Sequence, residues 1–402
     1  MLRARMFGNL ARILFVLLAG TLAALGHLYV YRRLVRDVIA SAPVRALARW
    51  LMIVLGASAF LIRPVARLFV GTAPAWVLTP FLVWLGVVLY LLLVTLALDG
   101  GRALFLRWRE RQGRPVAPER RAFLARSLAA GSALAGGGLG AFGTWSAFHP
   151  PEISEVPVAL PGLPKALDGF TIVQLTDIHV GAVIQRRFLD ELVARANAVK
   201  PDLIALTGDL VDGTPEQLGS AVAAIQNLRA PHGVFFVTGN HDYYSGVGPW
   251  IDVVTSLGLQ PLRNRLVRIG DAGASFDLLG VDDWSSRDGG DRWTGPADSR
   301  YDLEAAVRGR DPDRPSVLLA HQPTNMPEVS RHRIGLQLSG HTHGGQMFPG
   351  TGVARLIWSE RTAGLSRQGN TWLYVSRGCG FVGPPMRVGS PPELVKIVLV
   401  AS

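Results

Sequence analysis

The chain has 402 residues, 49% of them hydrophobic, and a formal net charge of +11. Residues 1–150 hold 18 arginines, no lysine and four acidic residues, a net of +14, while the rest of the chain carries −3. Basic charge often indicates nucleic-acid binding, but arginines beside long apolar runs indicate membrane topology instead, and no nucleic-acid partner is expected. The single cysteine, Cys379, excludes an intrachain disulfide and a cysteine-based zinc site.

Three apolar runs predict a transmembrane region of about three helices within residues 1–118, because a span takes roughly 20 residues. The runs cover residues 9–31, 47–62 and 77–98. Arginines concentrate in segments 32–49 and 102–121, which we therefore expect to be cytoplasmic, with the 63–76 loop outside. The chain is expected to be a multi-pass protein of the inner membrane.

Residues 119–150 begin with the paired arginines Arg120 and Arg121, then Phe123 and Leu124, and continue into a run rich in alanine and glycine. This pattern resembles a twin-arginine export signal, although no clear cleavage site follows it. The alternative is an ordinary last membrane helix after a basic loop. If the segment spans the membrane, both interpretations place residues 151–402 on the extracytoplasmic side.

From about residue 163, short apolar runs alternate with stretches of helical periodicity. Strands are predicted at 170–176, 202–207, 234–238, 276–280, 317–320, 334–338, 372–376 and 394–400, and helices at 186–199 and 216–228. Alternation of this kind indicates an α/β fold, in which ligands bind beyond the carboxyl ends of the strands.

A polar cluster follows five of these strands. The candidate ligands at the strand ends are Asp177, His179, Asp209, Asn240, His241, His321, His341 and His343. Oxygen and imidazole ligands without a thiolate suit Mn²⁺, Fe, Zn²⁺ or Mg²⁺. The groups are too many for one tetrahedral site and suffice for two metals that share a carboxylate, an arrangement suited to displacement at phosphorus.

The ordered motifs D-x-H (177–179), G-D (208–209), G-N-H-D (239–242), His321 and G-H-T-H (340–343) resemble those of the calcineurin-like metallophosphoesterase superfamily. The resemblance covers roughly residues 168–400 and extends to a bacterial branch with membrane-anchored or exported catalytic domains. It implies that residues 151–402 form a four-layer α/β/β/α sandwich after the N-terminal transmembrane helices.

The resemblance also implies a role for each motif residue and two divalent metal ions, with Mn, Zn or Fe favoured over Mg. Asp177, His179 and His343 would hold the first metal. Asn240, His321 and His341 would hold the second, and Asp209 would bridge the two. His241 would act on the leaving oxygen of the substrate, and Asp242 would orient His241. Purple acid phosphatases carry a tyrosine where this chain has Asp212, so an iron–tyrosinate site is disfavoured.

The expected activity is hydrolysis of a phosphoester, with water as nucleophile and a phosphodiester of the envelope or a lipid-linked phosphoester as substrate. The first alternative is a tethered phosphodiesterase for nucleotides or cyclic nucleotides. The second is a metal-binding sensor or transporter without catalysis. The apolar runs contain few polar residues, which speaks against a transport path.

Four further features have two interpretations each. The apolar segments 347–349 and 356–358 either form a lip near the bilayer or pack onto the sheet. The insert with Trp284, Arg287, Arg292 and Trp293 either caps the site or is a solvated loop. Arg387 is a candidate for contacting phosphate, and Cys379 is expected to be a packed residue rather than a nucleophile.

Overall fold

Four long helices form the first part of the chain. The computed structural model describes residues 2–72, 74–286 and 300–401. The helices are α1 (Leu2–Tyr31), α2 (Ala42–Phe69), α3 (Ala75–Arg111) and α4 (Pro118–Phe148), with a π-helical turn at Arg32–Arg36 after α1. The predicted runs 9–31, 47–62 and 77–98 lie in α1, α2 and α3, and the twin-arginine-like segment lies in α4, which is one continuous helix.

Among the described residues, two helical segments are long and apolar enough to cross a membrane: Ala42–Ile62 in α2 and Ala75–Arg111 in α3. The α2 segment leaves its apolar side chains uncovered, as Leu47, Leu51 and Val54 are 72%, 55% and 56% exposed. Side chains this apolar are unfavourable in water over a whole helix face. The pattern is typical of a helix that contacts lipid.

The chain divides into two compact units. The first, called the helical unit, contains most of α1 to α4 and also Gly383–Met386. The second, called the sandwich unit, contains Phe69–Ala75, Ser146–Val382 and Arg387–Ser402. The loop between the two candidate spans therefore belongs to the sandwich unit, and its Val70 is 4% exposed in the core of that unit.

Two six-stranded mixed sheets form the centre of the sandwich unit. The first has the order β1-β12-β2-β3-β4-β5 and contains β1 (Glu152–Leu160), β2 (Thr171–Leu175), β3 (Leu203–Thr207), β4 (Val234–Val237), β5 (Gln260–Pro261) and β12 (Glu393–Ala401). The second has the order β10-β11-β9-β8-β7-β6 and contains β6 (Arg265–Gly270), β7 (Ser275–Gly280), β8 (Ser316–Leu319), β9 (Leu336–Ser339), β10 (Gly364–Gln368) and β11 (Thr371–Val375).

The α-helices described in the sandwich unit are α5 (Arg186–Ala198), α6 (Pro215–Val222), α7 (Asn240–Tyr244), α8 (Val247–Ser256), α9 (Leu303–Val307), α10 (Met326–Arg331) and α11 (Gly350–Trp358). Of these, α5, α6 and α8 pack on the first sheet, and α9 and α10 pack on the second. A 3₁₀ turn at Ala223–Asn227 ends the predicted helix 216–228 early. Strand β1 was not predicted, because its partner β12 lies more than 200 residues away in the chain.

Alternation along the strands creates the layers. Ile172 of β2 faces the second sheet and packs in a buried cluster with Phe235, Leu278 and Leu336. Its neighbour Val173 faces the other way, into a cluster with helices α5, α6 and α8. A third cluster joins the second sheet to α9 and α10. Because successive side chains of a strand point to opposite faces, these clusters give the predicted α/β/β/α order, and the predicted fold class is confirmed.

Candidate metal centre

The predicted metal ligands lie at the ends of five parallel strands. Strands β2, β3 and β4 are parallel neighbours in the first sheet, and β8 and β9 are parallel neighbours in the second. The residues after them are Asp177 and His179 (β2), Asp209 (β3), Asn240 (β4), His321 (β8), and His341 and His343 (β9). All except His341 are buried, so their polar atoms need partners inside the protein.

The backbone turns sharply at these residues. Asp177, His179, Asp209, His341 and His343 all have φ between 50° and 72°, a region that non-glycine residues rarely adopt. Such strain clusters at functional sites, where the surrounding structure holds it in place. Glycines permit the close approach of the loops: a Cβ added at Gly208 would lie 2.7 Å from His321 Nδ1.

Asp177, His179 and His343 form the first ligand cluster. His343 Nε2 lies 3.3 Å from Asp177 Oδ1 and 3.1 Å from His179 Nε2. Two ligand nitrogens each about 2.1 Å from one cation are separated by roughly 3.0–3.4 Å in octahedral or tetrahedral geometry. The spacing of the two rings therefore fits a shared metal ion.

Asp209, His321 and His341 form the second cluster. His321 Nε2 lies 3.2 Å from Asp209 Oδ2, and the same oxygen lies 3.7 Å from His179 Nε2 of the first cluster. The other oxygen, Oδ1, accepts the backbone N–H of His241 at 2.8 Å. Asp209 thus presents one carboxylate oxygen to ligands of both clusters.

Two predicted ligands have a buried atom without a hydrogen-bond partner: Asn240 has Oδ1, and His321 of the second cluster has Nε2. His321 Nε2 is near Asp209 but lacks hydrogen-bonding geometry with it. His321 Nδ1 donates to the carbonyl of Thr207 at 2.9 Å, which leaves the Nε2 lone pair available for a cation. An unsatisfied buried polar atom costs about 1–3 kcal/mol. The chemistry of these atoms therefore fits a bound metal ion.

The charges of the site are strongly coupled. Burial disfavours the ionised form of Asp209, but His321 and His179 outweigh burial and hold its pKa well below the ordinary value. Burial likewise disfavours the protonated form of His179. The negative charges of Asp212 and Asp209 outweigh burial and raise the pKa of His179 to about 9. His341 is shifted the other way, since burial and then His321 lower its pKa to about 3. The carboxylates thus attract positive charge into this pocket.

Comparison with known proteins identifies the family. Residues 170–345 match the calcineurin-like phosphoesterase family. A zebrafish (Danio rerio) protein, "Transmembrane protein with metallophosphoesterase domain", is 33% identical over 97% of this chain and 90% of its own length. The chain belongs to the calcineurin-like phosphoesterase family.

Two further relatives match mainly the phosphoesterase region. A bovine (Bos taurus) protein with the same description as the zebrafish one is 39% identical over 66% of this chain, and the alignment covers 60% of the bovine protein. The Bacillus subtilis (strain 168) protein "Uncharacterized metallophosphoesterase YkuE" is 30% identical over 68% of this chain and 93% of its own length. Membership of the family indicates a phosphoester hydrolase with metal-binding residues.

In this phosphoesterase, Asp212 orients two site histidines. Its Oδ1 lies 2.5 Å from His241 Nδ1, and its Oδ2 lies 3.2 Å from His179 Nδ1. A carboxylate behind a metal-ligating imidazole fixes the orientation of the ring and increases its basicity. In the sequence, Asp212 marks only the position at which purple acid phosphatases carry a tyrosine. Its spacing three residues after Asp209 was the signal for this second role.

Asp242 does not occupy the place predicted for it. Its carboxylate accepts backbone N–H groups of Gly239, Asp209 and Leu210 at 2.8, 3.0 and 2.9 Å. Burial, followed by the nearby Asp209, raises the pKa of Asp242 to about 7. The carboxylate that meets the ring of His241 is Asp212. Asp242 instead holds the loop that carries Asp209.

Arg387 does not face a substrate, contrary to the phosphate contact considered from the sequence. Its side chain is 1% exposed and donates to the carbonyl oxygens of Gly380 and His343. Its Nη2 also lies 3.1 Å from His343 Nδ1. Burial and then the charge of Arg387 keep the pKa of His343 well below its ordinary value, so this ring stays neutral, as a metal ligand must be.

Two further candidates, Trp284 and Cys379, have partners within the protein. Trp284 packs edge-on against Tyr301 with ring centroids 4.8 Å apart. Arg287, Arg292 and Trp293 of the same insert lie outside the described residues. Cys379 is fully buried, and its thiol donates to the carbonyl of Glu393 at 3.2 Å. The interpretation of Cys379 as a packed residue therefore agrees with the structure.

Proposed function

We propose that this protein is a membrane-anchored phosphodiesterase with a dinuclear metal centre that acts on envelope or lipid-linked phosphoesters. The observation that carries the proposal is the position of Asp209, whose Oδ2 lies 3.2 Å from His321 Nε2 and 3.7 Å from His179 Nε2. One oxygen facing ligands of both clusters suits a carboxylate that bridges two metals.

The seven ligands divide as the family resemblance implies. Asp177, His179 and His343 would hold one divalent ion, and Asn240, His321 and His341 the other, with Asp209 between them. When bound, the two ions would activate water and neutralise charge on the phosphoryl group. Mn, Zn or Fe suits the mixed oxygen and imidazole set better than Mg, which prefers oxygen ligands.

The chain's own contribution to the reaction is a proton for the leaving oxygen. His241 is partly exposed at the edge of the clusters, and its ring is held through Nδ1 by Asp212. Its Nε2 is therefore free to face the substrate. A positioned imidazole is suited to this role, because histidine is the side chain that most often acts as a general acid or base. Tyr244, 48% exposed with its ring centroid 5.4 Å from that of His241, forms a neighbouring wall.

We propose that the sandwich unit lies on the extracytoplasmic side of the inner membrane, after a multi-pass region. The loop Phe69–Ala75 connects the two candidate spans and belongs to the sandwich unit. The arginine-rich segments on the other ends of those helices favour the cytoplasm. The names of the zebrafish and bovine relatives agree with membrane association.

The test is hydrolysis of a soluble aryl phosphodiester by the full chain with Mn²⁺, compared with two variants. Asp209→Asn should abolish turnover and reduce bound metal. His241→Ala should abolish turnover but keep the metal, because its ring is held by Asp212 and is not among the seven proposed ligands. Full activity in His241→Ala would disprove the role of that residue, and an inactive, metal-loaded wild type would favour a binding protein over an enzyme.

A further inference from the structure

Helix α11, which follows the G-H-T-H motif, turns its apolar face away from the sandwich core. Val353, Leu356 and Ile357 have the spacing i, i+3, i+4 of one helix face, and they are 52%, 85% and 66% exposed. Phe348, just before the helix, is 58% exposed, whereas the small Ala354 is the helix residue that is buried. A helix that only covers the sheet would have the opposite pattern.

We propose that Phe348, Val353, Leu356 and Ile357 form a docking surface that inserts into the membrane interface. A contiguous apolar patch on a soluble face marks an interaction site. The loop Phe69–Ala75, between the two helices able to cross a membrane, belongs to the same unit as α11, so this unit contains a segment that lies next to the bilayer when those helices span it.

Charge also favours lipid as the occupant. Arg355 is exposed on the same helix, and Arg361 follows in the next turn. An apolar helix face with arginines beside it is typical of helices that lie in the plane of an anionic lipid surface. Long arginine side chains reach the headgroups while the apolar residues enter the acyl region.

The docking surface is adjacent to the metal centre. Trp358, the last residue of α11, meets the ring of His341 edge-on with centroids 5.7 Å apart. Thr351 and Arg355 line a cavity of about 770 Å³ whose wall includes Gly344, the neighbour of His343. A lipid held at α11 would therefore have its phosphate beside the two clusters. This delivery step rests on the proposed function, whereas the docking itself does not.

Docking is tested by the environment of a probe at position 356. The native Cys379 is fully buried, so Leu356→Cys introduces an accessible thiol for an environment-sensitive fluorophore. The labelled full chain is placed in nanodiscs with anionic lipid and exposed to a spin-labelled lipid or to iodide. The matched control is Ala272→Cys, an exposed position in the turn between β6 and β7, at the edge of the second sheet opposite the metal centre.

We expect the lipid quencher to act at least about twofold more strongly on position 356 than on position 272, with the reverse order for iodide. Equal iodide quenching at the two positions would overturn the proposal. A label at 356 that is shielded from both quenchers would also overturn it, because a protein, such as a second copy of the chain, would then cover the surface.

Delivery is tested by the double substitution Leu356→Ser with Ile357→Ser. The ratio of turnover of a vesicle-embedded phosphodiester lipid to turnover of a soluble aryl phosphodiester should fall about tenfold, since two apolar side chains no longer enter the bilayer. An unchanged ratio would disprove delivery. If the wild type hydrolyses neither substrate, the proposed function fails, while the quenching result still decides whether α11 docks.

Discussion

Replacing Asp212 by asparagine tests how the site handles the leaving group. The substitution keeps the shape of the side chain but removes the charge that lies 2.5 Å from His241 Nδ1 and 3.2 Å from His179 Nδ1. If His241 is the proton donor, its protonated form loses the carboxylate that stabilises it. The chemical step should then slow, and most for substrates whose leaving oxygen needs a proton.

The size of the effect follows from charge and exposure. Two unit charges about 4 Å apart interact by about 4 kcal/mol at an effective dielectric constant of about 20. The side chain of Asp212 is 33% exposed, and solvent screening reduces the interaction to about 2 kcal/mol. That energy corresponds to a roughly 30-fold fall in kcat for a phenyl phosphodiester.

The assay compares phenyl and nitrophenyl phosphodiesters at saturating Mn²⁺, with metal content measured in parallel. The nitrophenyl substrate, whose leaving group is already stable as an anion, should lose no more than about threefold. Asp190→Asn is the control, because Asp190 is paired with Arg186 on the surface of α5 and should not affect turnover. Equal losses of kcat for both substrates would contradict a role of Asp212 in protonating the leaving oxygen. They would indicate that Asp212 acts through His179 and the metal instead.

Three more outcomes follow from the site. Gly340→Ala should reduce metal binding, since a Cβ there would overlap the carboxylate of Asp177. The loss is measured as the metal content of the purified variant. Arg387→Met should destabilise the protein by about 1–3 kcal/mol, because buried carbonyl groups lose their donor, and a lower Tm reports it. Metal affinity should rise as pH increases towards about 9, because His179, with its raised pKa, must lose a proton before it can bind metal. Titration calorimetry in buffers of different ionisation enthalpy measures the released proton.

Each of these outcomes has its own control. A Cβ added at Gly219 on α6 would have no atom within 4 Å, so the Gly219→Ala variant should bind as much metal as the wild type. Equal metal loss in both glycine variants would argue against a local clash at Gly340. Arg186→Met, on the surface of α5, should leave Tm within about 1 °C of the wild-type value. A Tm of Arg387→Met that is equally close to the wild-type value would contradict a structural role for Arg387. A metal affinity that is independent of pH between about 6 and 9 would show that no proton is displaced.

The position of the site was predictable because each ligand follows a buried strand. Strand ends are marked in the sequence by the change from apolar to polar residues, as at Leu175 to Asp177 and Leu338 to His341. Parallel strands bring such ends to one edge. The sequence therefore predicted the edge at which two groups of these side chains come together, although it contains no information on the distances between them.

The partners of the site residues were harder to predict because they depend on loop conformation. Asp242 follows His241 directly, yet it faces the backbone of Asp209 and Leu210, and Asp212 from a different loop reaches His241 instead. Arg387 is polar and lies in a Gly- and Pro-rich segment, which suggests exposure, but its donors are satisfied by buried carbonyl groups. Strand β1 was missed because it is stabilised by pairing with the distant β12.

Metal content is the most direct test of the central claim that seven side chains from five strand ends form one two-metal pocket. The full chain, purified in detergent and incubated with Mn²⁺, is analysed by mass spectrometry of the metal after removal of free ions. We predict roughly two ions per wild-type chain and fewer than about one in Asp209→Asn, because both ions share that carboxylate. A wild type that retains no divalent ion, or an Asp209→Asn variant that retains as much as the wild type, would contradict the account.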